Sequence, residues 1–179
     1  LELHDDVTIF GTGTIKKTSV GESALHIKGT HVGIDHLRFK SDDTNGQPST
    51  EIKLGDGSGN IRITNCTFTG SVYSAISGSV EVGLGGSHYV KPVEGVLISN
   101  CVFDGYKRPA FLHSVNNITI ATNIFRNCEF DAVRLRDNDG HCIINANQFF
   151  DIGEPTWPDN QTRDAIDTYW SGKDLIITN

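Results

Sequence analysis

Residues 96–103 read Val-Leu-Ile-Ser-Asn-Cys-Val-Phe, and residues 61–68 read Ile-Arg-Ile-Thr-Asn-Cys-Thr-Phe. Both follow one template: an apolar residue, Ile two positions on, and Phe five positions after that Ile. Residues 32–39, 118–125 and 142–149 fit it as well; residues 7–14 form a looser copy without the Phe, and residues 175–179 begin another. Working outward, an Ile column emerges: Ile9, Ile34, Ile63, Ile98, Ile120, Ile144 and Ile177, at gaps of 25, 29, 35, 22, 24 and 33 residues. A Phe column accompanies it (Phe39, Phe68, Phe103, Phe125, Phe149), with Leu37, Cys66, Cys101, Asn123 and Asn147 between the two.

A second short strand follows each copy and usually opens on Ala, at residues 24–27, 51–54, 75–78, 110–113, 132–135 and 165–168. In three copies it begins 7 residues after the Phe. Apolar and polar residues alternate over these runs at strand periodicity. Strands this short cannot bury a face alone, but coiling the chain stacks like residues about 4.8 Å apart into a continuous core. No 3.6-residue period and no Leu-rich consensus competes with this reading. Asn65, Asn100 and Asn179 follow the first strand, where a tight bend needs a residue that tolerates left-handed backbone angles. The expectation is an all-β, single-stranded parallel β-helix of about six to seven coils over residues 1–179. Both ends fall inside the repeat, so the stretch reads as a fragment, incomplete after Asn179 and before Leu1 as well.

Composition agrees. Hydrophobic residues make up 37% of the 179, Gly numbers 19 and Met is absent, a mix that favours short strands and turns. The net charge is −7 without a basic run, which argues against a nucleic-acid partner. Neutral glycans suit such a surface; an acidic polymer needs a local patch of Arg or Lys. No apolar run approaches a membrane span, so membrane insertion is not expected. Cys66, Cys101, Cys128 and Cys142 lack metal-ligand spacing and read as small buried side chains.

Insertions in a solenoid mark its functional side. They fall at residues 41–50, 79–94 and 151–163. Alternation along the Ala-led strands sends Leu25, Ile52, Ile76, Phe111, Val133 and Ile166 inward, with His113. It sends His26, Lys53, Ser77, Leu112, Arg134 and Asp167 outward, followed by Ser114, Arg136 and Tyr169. Arg134 and Asp167 should then neighbour one another on adjacent coils, as should Arg136 and Tyr169. Asp167 and Asp164, with Glu154 nearby, are the acid–base candidates, since glycoside hydrolysis needs two carboxyl groups about 5 Å or about 6.5–9.5 Å apart. Asp131 and Asp164 both precede Ala, and capping a turn explains them equally. Arg134 and Arg136 suit a sugar carboxylate, with Arg134 the catalytic candidate; a salt bridge to Asp167 is the plainer role. Tyr169, Trp157 and Trp170 suit the CH-rich faces of sugars, or packing. Asp42, Asp43, Asp137 and Asp139 suit Ca²⁺ no better than they suit turns, and no metal or other cofactor is assigned.

The repeat, with its short Ala-led strand, resembles the pectate-lyase-like superfamily of right-handed β-helices along nearly the whole chain. Residues 7–17, Val-Thr-Ile-Phe-Gly-Thr-Gly-Thr-Ile-Lys-Lys, resemble the first coil of bacteriophage tailspikes and capsule depolymerases. That resemblance implies a homotrimer, extracellular or on a virion surface, that binds and cleaves bacterial surface polysaccharide, as a glycoside hydrolase ahead of a polysaccharide lyase. A non-catalytic adhesin or spike shaft is the alternative. Gly33-Ile34-Asp35-His36 resembles an element of pectate lyases, with Gly in place of Trp, but Arg108-Pro109 lacks that family's second Arg. The polygalacturonase elements are missing, so pectin chemistry is not implied.

Overall fold

The alternation closes into three parallel sheets. The computed structural model describes residues 1–17, 23–41, 49–71, 73–78, 91–153, 163–171 and 174–178, with backbone alone at Trp170 and Ser171. The first sheet holds β1 (Glu2–Leu3), β4 (Leu25–Ile27), β7 (Thr50–Leu54), β10 (Ser74–Ser77), β13 (Ala110–His113), β16 (Val133–Asn138) and β19 (Ile166–Ser171). The second holds β2 (Thr8–Phe10), β5 (Gly33–Asp35), β8 (Gly59–Thr64), β11 (Val93–Ser99), β14 (Val115–Ala121), β17 (His141–Asn145) and β20 (Asp174–Thr178). The third holds β3 (Thr14–Lys17), β6 (Arg38–Ser41), β9 (Thr67–Gly70), β12 (Val102–Asp104), β15 (Ile124–Cys128) and β18 (Gln148–Ile152). Each coil visits the three in turn, and each strand pairs with its counterparts one coil away. The architecture is the expected parallel β-helix.

Stacking of like residues sets the register. All seven residues of the Ile column pair in sequence, from Ile9↔Ile34 to Ile144↔Ile177. The Phe rings stack nearly face to face, at centroid separations of 4.7, 4.8, 4.8 and 5.3 Å from Phe39 to Phe149. In the looser first copy Ile15 takes the Phe place, opposite Phe39. All four Cys are buried free thiols.

The column between Ile and Phe turns from Leu37, Cys66 and Cys101 to Asn123 and Asn147. A buried amide is tolerated because its hydrogen bonds are made. Asn123, fully buried, donates through Nδ2 to Ile98 O and to Asn147 Oδ1, both at 3.0 Å, and accepts from Cys101 N at 2.9 Å.

Two residues join the second sheet to the third in five coils, and the first of them is left-handed each time. Asn65 (φ 53) and Asn100 (φ 54) fill this bend as expected; His36, Thr122 and Ala146 fill it elsewhere, at φ 56, 57 and 52. Asn179 lies outside the described residues. The other two corners vary widely, from 1 to 15 residues between strands.

One coil departs from the expected alternation. Ala110, not Phe111, stands in the core row between Ile76 and Val133. Phe111 lies on the outer face between Ser77 and Arg134, and Leu112 points inward, fully buried beside Leu135. His113 is opposite Arg136, in the outer row where Ser114 was expected. A shift of one residue reverses every side chain of a strand, and here it places Leu112 in the core.

Candidate functional site

β16 and β19 run in register at the upper end of the first sheet, with Arg134 opposite Asp167 and Arg136 opposite Tyr169. Alternation puts all four on the outer face. Arg134 Nε lies 2.9 Å from Asp167 Oδ2, within ion-pair distance but off the direction of an N–H···O bond. Arg136 Nη2 is 3.9 Å from the same oxygen, and its guanidinium sits 5.5 Å from the centroid of the Tyr169 ring, which is 53% exposed.

A second tier lies beneath. Arg108, Asp131 and Asp164 each stand two residues before a first-sheet strand of successive coils. Asp131 is fully buried; its Oδ2 meets Arg108 Nε at 3.2 Å and Arg134 Nη1 at 3.3 Å, and its Oδ1 accepts from Asp164 N at 3.2 Å. Arg108 donates to the Tyr73 hydroxyl at 2.5 Å and packs 4.5 Å from the Phe130 ring centroid. Phe111 lies under Arg134 and against His113, whose two ring nitrogens have no hydrogen-bond partner among the described residues.

Three guanidinium groups therefore meet two carboxylates in one linked set. Burial first, and the Asp131 carboxylate second, push the Asp167 carboxyl above its usual range, against the pull of Arg136 and Arg108. His113 is pushed the other way by burial and then by Arg136, which favours its neutral ring. A carboxyl that keeps its proton more readily is suited to general-acid work.

Of the expected site residues, Arg134, Arg136, Asp167 and Tyr169 come together. Asp164 is exposed two residues before β19, and its backbone is tied to Asp131. Glu154 and Trp157 lie outside the described residues, as do Asp42 and Asp43 and the Trp170 side chain. Sequence reasoning missed Tyr73, Arg108 and Asp131 as one cluster; the shared place of Arg108 and Asp131 before successive strands was the available signal. The second sheet carries a groove of about 590 Å³ over Arg62, Leu97 and Thr119, but its lining holds neither a carboxylate nor a Trp, Tyr or Phe ring.

With this geometry in place, the comparison with known families is informative: the pattern of the right-handed β-helix region matches residues 8–179. The chain belongs to that family. No curated protein and no solved structure matches it. In this right-handed β-helix the linked Arg–Asp set runs from the outer face of one sheet, at Arg136 and Asp167, down to the buried Asp131 at the corner.

Proposed function

We propose that this β-helix binds an acidic polysaccharide across the outer face of its first sheet and cleaves it there as a glycoside hydrolase. The observation that carries the reading is Arg136, which stands beside Asp167 and over the exposed Tyr169 ring. Arg136 holds a sugar carboxylate by charge-assisted hydrogen bonds, and Tyr169 packs against a sugar face. Asp167 delivers the proton to the glycosidic oxygen, and Asp164 is the second carboxylate that hydrolysis needs. In the same reading the chain works as a homotrimer, outside the cell or on a virion.

A non-catalytic glycan-binding coil is the second reading. The closeness of Arg134 to Asp167 favours it, because a neutralised pair needs no substrate to explain it. The test is incubation of the intact chain with acidic and neutral capsular polysaccharides, following binding, reducing ends and ultraviolet absorbance. The expected result is new reducing ends from an acidic glycan, without absorbance at the unsaturated-sugar band. Asp167→Asn should abolish them. Arg136→Ala should weaken binding about tenfold or more, as loss of a charged hydrogen bond does. Unsaturated products would replace the hydrolase with a lyase. Binding without products would leave the second reading, and neither binding nor products would end both.

A further inference from the structure

The tier beneath the outer face has a role of its own. Asp131 spends both oxygens inside the protein, one on the backbone of Asp164 and the other on two guanidinium groups. Arg108 is pinned between the Tyr73 hydroxyl and the Phe130 ring. Arg134 is shared: Nη1 goes down to Asp131, while Nε reaches Asp167 off the bonding direction.

A guanidinium fork can grip a carboxylate with two parallel bonds, which holds that carboxylate ionised. Here one arm of the fork is already taken. We propose that Asp131, held by Arg108, is a positioning residue for the outer-face acid: it draws Arg134 toward the strand start, so that Asp167 meets that cation side-on rather than through a two-pronged bond. This rests on reading Asp167 as the acid of the site. The charged groups facing Asp167 among the described residues are Arg134 and Arg136 from β16, with Asp131 and Arg108 at the corner below. Burial and Asp131 favour the protonated form, and Arg136 and Arg108 oppose it.

Two substitutions move this balance in opposite directions. Asp131→Asn removes a negative neighbour and releases the Arg134 fork toward Asp167. Arg108→Gln removes a cation and leaves Asp131 to draw Arg134 more strongly. The experiment is a carbon-detected NMR titration of the Asp167 carboxyl in the intact chain, assigned by the loss of its signal in Asp167→Asn.

Asp131→Asn should lower the Asp167 midpoint, because it removes a negative neighbour. Arg108→Gln should raise it. General loosening of the fold does not produce shifts of opposite sign. A midpoint that stays put in both variants, or moves the same way in both, overturns the proposal. If Asp131→Asn fails to fold, Arg108→Gln decides alone, and an unmoved or lowered midpoint is the refuting result. No glycan is present in the titration, so its outcome is separate from that of the cleavage assay. Expected shifts without cleavage would retain the positioning and discard the hydrolase.

Discussion

Phe103→Ala tests the stacked core most directly. Phe103 is fully buried, with ring neighbours at 4.8 Å on both sides, Phe68 at 7° and Phe125 at 5° between planes. Removing a buried Phe ring forfeits its transfer energy and leaves a cavity, together about 3–5 kcal/mol. The two ring contacts belong to that loss, and each contributes about 0.5–1.5 kcal/mol. Phe149 is half-buried, with one stacked neighbour among the described residues, Phe125 at 5.3 Å. Phe149→Ala should therefore cost roughly half as much as Phe103→Ala. Urea unfolding of the two variants and the parent, followed by circular dichroism, gives the comparison. Pairing Phe68→Ala with Phe103→Ala in a double-mutant cycle should return a coupling of about 0.5–1.5 kcal/mol. Equal costs at Phe103 and Phe149, or zero coupling, would refute the claim that neighbouring coils support each other ring upon ring.

Two further predictions concern pH. Glu51 is fully buried, with the Tyr106 hydroxyl donating to it at 3.4 Å. Burial raises its affinity for a proton above that of the unfolded chain, so its contribution falls as pH rises past the ordinary Glu value of 4.5. Glu51→Gln should accordingly gain stability over the parent as pH is raised from about 4 to about 8 in thermal melts; a gain that shrinks over that interval would contradict this. Asp35 behaves oppositely. Hydrogen bonds from Thr64, Asn65 and His36 hold its carboxyl down at about 2, so its stabilisation is present above the ordinary 3.8 and is lost as pH falls through about 2. Asp35→Asn should melt lower than the parent at neutral pH and converge with it in strong acid; a gap independent of pH would show that the charge is immaterial.

The fold was legible because its cause is repetitive. Ile98 and Phe103 recur at the same spacing in both neighbouring copies, and a parallel coil is the arrangement that stacks each on its like. The slip at Ala110 was hidden by a coincidence of spacing. Ala75, Ala110 and Ala132 all follow their Phe by 7 residues, yet Ala110 pairs with Ile76 and Val133. Counting from Phe cannot show that the corner containing Gly105 and Pro109 reaches the core row one residue sooner than its neighbours do; the burial of Leu112 decides it. The outer Arg134–Asp167 and Arg136–Tyr169 neighbours followed from alternation alone, because strand geometry fixes them. The buried Asp131 did not, because a turn-capping Asp and an Asp clasped by two guanidinium groups have the same local sequence.

The two-residue bend between the second and third sheets acts as the ruler of the molecule. Five of the six coils that make this turn spend the same two residues there, so the pitch of the winding is set at that edge; the first coil spends one residue more. The other edges accept connections of 1 to 15 residues without disturbing it. Foreign peptides spliced at those tolerant edges should ride outside the barrel, whereas one residue added beside Asn100 would throw Phe103 to the solvent side and unseat the windings on either side of it.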